Sequence, residues 1–335
     1  MTLPSSFRAL RVSTEGAHRA RIETVTLDAL TPGNVVIRVV WSGINYKDAL
    51  AVTGKGRILK GSPRTPGIDL AGYVVASEDM RFRAGDAVLV TGCDIGEKLD
   101  GGYSEYARLP AAAVVPLPAG LSLREAMSLG TAGFTAAFAL RRMLDNHQTP
   151  DLGPIAVTGP TGGVGSLALA LLKQAGFKTA AITAKPQAED FLRAMGADEI
   201  IHRESLPLGS KPLEAAIWGG AVDNLGGETL AGLIRTVKTW GNIVSIGLAQ
   251  SYELHTTVMP FILRGVSLLG IHSVECPRDW RLDLWAKLQG PWKPHAALKT
   301  VVTRTVTLEE LPAACEDNIA GKAIGRTLVR VGDDG

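Results

Sequence analysis

The stretch Ile155-Ala156-Val157-Thr158-Gly159-Pro160-Thr161-Gly162-Gly163-Val164-Gly165, running on into Ser166-Leu167-Ala168-Leu169-Ala170-Leu171-Leu172, constrains this chain more than any other. A short β-branched run ends in glycines and opens into an apolar helix. That is strand, phosphate loop and helix, the start of a dinucleotide-binding βαβ unit. Glycines let the backbone approach a pyrophosphate, and the N-terminus of the next helix offers N–H groups and a positive dipole end. The strict G-x-G-x-x-G spacing is not met, because its first glycine falls on Pro160. A glycine loop of this kind needs support from its surroundings.

Downstream, strand and helix alternate regularly. Strands are predicted at 179–183, 198–202, 221–224, 242–246 and 266–271, and helices at 189–195, 230–237 and 260–264, with Gly196 stopping the first of these. Counting the strand before the glycines, this completes a six-stranded dinucleotide-binding domain. Upstream the character differs. Strands are predicted at 7–13 and 34–41, followed by a polar segment, 42–48, that opens a short helix. A loop rich in Gly, Lys and Arg spans 54–64, and turn-then-strand units recur at 66–75, 83–90 and 101–107. Mostly strands and turns, this part reads as a partly open barrel. Apolar residues at helical spacing from Ala126 to Leu140 mark a linking helix. The tail, from about His272, is mixed in character and ends strand-like at 327–331; it is expected to pack back onto the N-terminal domain. The division is therefore 1–127 for the barrel domain, 128–272 for the Rossmann domain and 273–335 for the return. The predicted fold class is α/β.

Composition narrows the function classes. With 335 residues, 46% of them hydrophobic, the chain can bury the cores of two domains. A formal net charge of +2 is too small for nucleic acid or an anionic membrane to be the main partner. Three cysteines, Cys93, Cys276 and Cys315, lie too far apart for a disulfide framework or a metal-ligand spacing. Met1–Phe7 lacks a basic region followed by an apolar one, and no apolar run approaches the roughly 20 residues that span a bilayer. A soluble, cytoplasmic protein is expected.

The order of motifs resembles the medium-chain dehydrogenase/reductase superfamily over essentially the whole chain. Asn45-Tyr46-Lys47-Asp48-Ala49-Leu50, Pro66-Gly67-Ile68-Asp69-Leu70-Ala71-Gly72, Gly130-Thr131-Ala132-Gly133-Phe134-Thr135-Ala136 and Thr257-Val258-Met259-Pro260-Phe261-Ile262-Leu263-Arg264 are similar to its zinc-free quinone-oxidoreductase branch. With Gly325-Arg326-Thr327-Leu328-Val329, they most resemble the NADPH-dependent acrylyl-CoA reductases. The resemblance implies a GroES-like catalytic domain beside a Rossmann domain, NADPH as cofactor, and reduction of the carbon–carbon double bond of a short enoyl-CoA. A quinone or enone reductase is the alternative enzyme, and a non-catalytic NADPH-binding module the alternative of another class. Zinc members of the superfamily use an early cysteine and a His-Glu pair; here stand Asn45-Tyr46-Lys47-Asp48 and Ile68-Asp69, so no metal is expected. Cys93 reads as a small core residue.

Cofactor choice is readable at the end of the second Rossmann strand. An NAD enzyme places a carboxylate there for the ribose 2′-hydroxyl. This chain has Thr183-Ala184-Lys185. Lys185 and the Thr183 hydroxyl would attract a 2′-phosphate, and Arg203, where the family uses an arginine, is a second cation. The alternative is that Lys185 and Arg203 are ordinary surface cations. Thr161, Gly162, Gly163 and Val164 form the expected phosphate cradle. By resemblance, the backbones of Leu248, Ile262 and Ser273 hold the nicotinamide end; the alternative is that Gly247-Leu248-Ala249 is an ordinary exit from strand to loop. Arg264 either reaches a cofactor phosphate or caps its own short helix.

Reduction of an activated alkene requires hydride at the β-carbon, a hydrogen-bond donor at the enolate oxygen and a proton at the α-carbon. Tyr46 is the candidate cofactor-facing donor, with a half-buried packing role as the alternative. Asn45 and Asp48 suit capping of the helix that starts there. Lys55, Arg57, Lys60 and Arg64 either receive the phosphates of a coenzyme A handle or form a solvated loop face. The hydrophobic sixth strand, at a sheet edge, points to a homodimer.

Overall fold

A computed structural model describes residues 3–333, which divide into two units. The first takes the chain up to Thr131 together with Val274–Gly290 and the segment from Val302 onward; the second takes Ala132–Ser273 and Pro291–Val301. Both units follow from the local pattern of the chain. β1 (Phe7–Ser13) and β2 (Arg19–Val25) pair antiparallel, with Phe7 opposite Val25. β3 (Val35–Ile44) carries the β-branched run three residues past its expected end and delivers α1 (Tyr46–Thr53). β4 (Asp69–Ser77), β5 (Ala87–Thr91), β6 (Tyr106–Leu109) and β7 (Val115–Pro116) each follow a turn. α2 (Leu123–Asp145) is the expected long helix, broken at Gly130.

Strand and helix then alternate. β8 (Ile155–Thr158), α3 (Gly163–Gln174), β9 (Thr179–Thr183), α4 (Glu189–Ala194) and β10 (Glu199–His202) make the first half. β11 (Trp218–Asp223), α5 (Gly227–Thr236), β12 (Val237–Ser245), α6 (Met259–Arg264) and β13 (Ser267–Gly270) make the second. The tail supplies α7 (Arg278–Gln289), α8 (His295–Thr300), β14 (Val302–Val306), α9 (Leu311–Ile319) and β15 (Arg326–Arg330).

In the first unit the main sheet runs β14-β15-β3-β4-β5-β7, with β6 also on β3. β3 changes partners along its length. Val35–Arg38 lie opposite β6, while Trp41–Ile44 lie opposite β15, and register shifts interrupt its pairing with β4 between Val36 and Ile37 and between Val39 and Trp41. Bulges bend a strand and strengthen its twist, which is how such a sheet curls into a partly open barrel. Leu10, Ile37, Leu70, Val88 and Leu109 belong to its buried core.

In the second unit the sheet runs β10-β9-β8-β11-β12-β13, all neighbours parallel. Strand order reverses between β8 and β11, the switch point beside which doubly wound sheets bind nucleotides. Ala156, Ile182, Trp218, Leu233 and Ile243 lie in the core behind it. Among the described residues no helix is long and apolar enough to cross a membrane.

Candidate active site

The second unit carries the phosphate loop. β8 ends at Thr158, Gly159 turns with φ 55°, and α3 begins at Gly163 after the N-cap Gly162. The first-turn N–H groups of α3 have no acceptor within the helix, and no acidic side chain occupies that turn. An anion is the partner such an end favours. Gly162 leaves room beside it: a Cβ there would meet only the Gly159 carbonyl oxygen, at 3.5 Å. Gly165 is the reverse case, since a Cβ would lie 2.4 Å from the Gly159 oxygen and 2.8 Å from Pro160 Cα. Absence of a side chain at Gly165 therefore sets the loop against the helix. The loop thus fits a dinucleotide pyrophosphate despite its irregular glycine spacing. Gly165→Ala is expected to lower NADPH affinity on the order of tenfold or more, with far-ultraviolet circular dichroism unchanged; a fluorescence titration measures it.

Two neighbours that sequence reasoning passed over hold this loop. Thr158 Oγ1 donates to Asp223 Oδ1 at 2.8 Å, and Asp223 also accepts the Gly226 N–H at 2.8 Å. Asn224 donates its backbone N–H to Thr158 Oγ1 and its side-chain amide to the Thr158 carbonyl, at 2.8 and 2.7 Å. Burial pushes the Asp223 carboxyl up from its ordinary value. The signal was present in Asp223-Asn224-Leu225-Gly226, an Asx turn leaving the fourth parallel strand.

At the discriminating end, parallel pairing of β9 and β10 sets Thr183 opposite His202. Ala184-Lys185 and Arg203 thereby leave the same end of the sheet. Ala184 and Arg203 are exposed and Lys185 is half-buried, with burial drawing its ammonium below the ordinary value. Thr183 is 2% exposed and its hydroxyl accepts the Lys185 N–H at 3.0 Å, shaping the turn. Thr161 is buried, whereas Gly162 is exposed and Gly163 and Val164 are intermediate.

Leu248 lies in the exit from β12 and Ile262 on α6; they are 62% and 72% exposed, unusual for aliphatic side chains. Ser273 follows β13, and its hydroxyl accepts a 2.9 Å bond from Thr135 Oγ1 on α2. Arg264 is engaged with backbone carbonyls. Its guanidinium donates to the carbonyls of Glu214, Arg235 and Val237 at 2.5, 2.8 and 3.2 Å, so it closes the C-terminal end of α5.

The first unit carries Tyr46, the first residue of α1, 51% exposed. Behind it lies a buried polar cluster. Asp48 Oδ2 accepts the Asn45 N–H at 3.0 Å, the capping expected of this pair, and Asp48 Oδ1 accepts the Ile68 N–H at 2.9 Å. Asp69 accepts the Thr131 N–H and hydroxyl at 2.9 and 2.6 Å and lies 3.3 Å from Arg326. At Gly130 the backbone leaves helical geometry (φ 52°, ψ −156°), and a Cβ there would sit 2.5 Å from Asp69 and 2.6 Å from Arg326. Only glycine lets α2 break against this ion pair. The pairing of Asp69 with Arg326 spans 257 positions, and no local pattern announces it.

Of the basic loop, Lys55 pairs with Glu316 at 2.7 Å and Arg64 with buried Asp100 at 3.3 Å, while Arg57 and Lys60 are exposed. Among the described residues no group of three His, Cys, Asp or Glu side chains is placed to hold a metal ion.

The family model for the alcohol dehydrogenase GroES-like domain matches residues 31–119, and that for zinc-binding dehydrogenase matches 163–289. Acrylyl-CoA reductase AcuI of Ruegeria pomeroyi is 41% identical over 97% of this chain and 99% of its own. The chain belongs to the medium-chain dehydrogenase/reductase superfamily. Another relative of this dehydrogenase/reductase is Bacillus subtilis YhfP, which carries a quinone-oxidoreductase name and is 45% identical over 92% of this chain and 94% of its own. The crystal structure of Salmonella enterica YhdH in complex with NADP superposes with a TM-score of 0.93, at 41% identity, over 97% of this chain and all of that one. YhfP with NAD bound gives the same TM-score at 42% identity, over 98% of this chain and all of that one. These likenesses bear out the expected pairing of GroES-like and Rossmann folds.

Proposed function

We propose that this protein is an NADPH-dependent reductase that converts acrylyl-CoA, or a similar short enoyl-CoA, to the saturated acyl-CoA. The observation that carries this reading is the 41% identity to acrylyl-CoA reductase AcuI, which extends over 97% of the chain rather than over the nucleotide domain alone. The residues of the second unit fit the cofactor. Backbone N–H groups of Gly163 and Val164 bind the pyrophosphate, and Thr161 and Gly162 shape the approach. Lys185 and Arg203 bind the 2′-phosphate at a strand end where no carboxylate stands to repel it. The backbones of Leu248, Ile262 and Ser273 would hold the nicotinamide end. NADPH supplies the hydride when bound.

The chain's own part in the chemistry is to orient and to donate. The Tyr46 phenol donates a hydrogen bond to the thioester oxygen as negative charge develops there. Exposed Arg57 and Lys60 meet the phosphates of the coenzyme A handle. Two copies of the chain pair through the open edge of β13, where unpaired backbone groups otherwise remain; light scattering at the mass of one 335-residue chain would reject this.

Following NADPH fluorescence with acrylyl-CoA, crotonyl-CoA and a simple quinone, each alone, tests the assignment. Turnover of acrylyl-CoA well above that of the quinone is expected. A preference for the quinone would favour the second reading, a quinone or enone reductase, which the 45% identity to YhfP supports. Binding of NADPH without oxidation by any of them would reject an enzyme of either kind.

A further inference from the structure

Tyr46 has its side chain in the open, so its direction is set from behind, through the backbone of the turn it begins. Asn45, the residue before it, is the N-cap of α1 and holds every polar atom of its side chain in a bond. Its amide nitrogen donates to Asp48 Oδ2 at 3.1 Å and to Asp69 Oδ2 at 2.8 Å, and its amide oxygen accepts from Arg326 at 2.9 Å. Only this orientation of the amide turns its donors to the two carboxylates and its acceptor to the guanidinium. Asn45 is therefore locked, and Asp48 holds it twice, once through the side chain and once through the backbone N–H.

The charges in this cluster do not balance. Asp48, Asp69 and Arg326 are all buried, two carboxyl groups with a single guanidinium, which bonds Asp69. The groups facing Asp48 are Asp69 on β4, Asn45 before α1, the Ile68 N–H before β4, Tyr103 in the loop before β6 and Cys315 on α9, with Arg326 on β15 behind Asn45 and Asp69. Arg326 is the lone cation among them, and it lies against Asp69. Burial first, and the charge of Asp69 second, push the Asp48 carboxyl up to about 7.

We propose that Asp48 is a positioning residue for the reaction, its carboxylate holding Asn45 and the first turn of α1 so that the Tyr46 phenol keeps one direction. This rests on the reductase reading given above, in which Tyr46 is the donor. As a carboxylate, Asp48 accepts the two Asn45 donors and the Ile68 N–H together. Protonated, it must place a hydrogen among those same donors, and the turn loosens. The grip on Tyr46 therefore strengthens as pH rises through about 7 and weakens as it falls.

The test uses the full-length protein with its tyrosines labelled with 13C in the ring; the chain has five, and Tyr46→Phe identifies the signal. In the wild type the Tyr46 ring resonance is expected to shift with a midpoint near 7, and in Asp48→Asn to stay flat. The same variant is expected to lower kcat about tenfold, at an NADPH KM within about twofold of wild type, and to remove the fall in kcat below neutral pH. In the Tyr46→Phe background, Asp48→Asn should cost little more. A Tyr46 signal indifferent to pH in the wild type overturns the proposal, and so does one that titrates equally in Asp48→Asn. Should that variant not fold, the wild-type titration decides alone. A Tyr46 ring signal that follows pH in the wild type but not in Asp48→Asn, in a protein that reduces no enoyl-CoA, supports the coupling and overturns only the substrate assignment.

Discussion

Replacing Lys185 by Glu and Arg203 by Ala together is expected to raise the Kd for NADPH on the order of 100-fold, while NADH changes by less than about threefold. The two cofactors differ by one phosphate. In this fold that phosphate belongs at the exit of the second parallel strand, where pairing of Thr183 with His202 sends Lys185 and Arg203 out from the same end of the sheet. Arg203 is exposed, so its share is screened. Half-buried Lys185 carries more, and a carboxylate in its place adds repulsion to the loss of attraction. A 100-fold change corresponds to about 2.7 kcal/mol, within reach of two lost charge-assisted bonds and one new repulsion. Parallel titrations with NADPH and NADH, at one ionic strength, measure it. Equal weakening of both cofactors would show that these cations do not read the 2′-phosphate. YhfP, which has been crystallised with NAD, is the natural control.

The second large effect concerns stability. Asp69→Ala is expected to destabilise the first unit by about 3–5 kcal/mol, measured as a shift of the urea unfolding midpoint. Asp69 is fully buried and takes four bonds, from Asn45, Arg326 and both donors of Thr131. Removing it strands the Arg326 guanidinium, which stays buried with only neutral acceptors, at Asn45, Ile44 and Met127. A paired control separates stranded charge from lost volume. Asp69→Ala combined with Arg326→Met should recover part of the loss, because no unpaired cation then remains. If the double variant is as unstable as the sum of the single ones, the pair does not act as a pair.

How far these sites were legible depended on whether their causes were local. The phosphate loop, the strands on either side of it and the missing acid after β9 are short-range patterns, and the residues announce them directly. The end of α4 before Gly196 and the short helix opened by Pro260 were equally plain. β2 was harder, since Arg19–Val25 alternates charged and apolar residues on a strand mostly open to solvent. Arg264 was only half legible, because a cation on a short helix beside a nucleotide fold suggests phosphate or a helix cap. Its three carbonyl partners lie 27 to 50 positions upstream, beyond any window of sequence. The cluster behind Tyr46 was half visible. Asn45 and Asp48 signalled a helix cap by spacing alone, but nothing nearby shows that Arg326 is the cation between them and Asp69.

The path of the chain through the first unit bears on how the protein is made. β3 is made long before β15, yet β15 covers its edge at Trp41–Ile44. Arg326, the counter-charge for Asp69, opens that same strand. Until β15 has been made, the growing polypeptide therefore carries an open strand edge and an unbalanced acid at the place where Tyr46 is mounted. Meanwhile the six parallel strands between Ile155 and Gly270 have all left the ribosome. The nucleotide-binding half can mature before β15 is made, and the half bearing Tyr46 is completed only when that strand arrives.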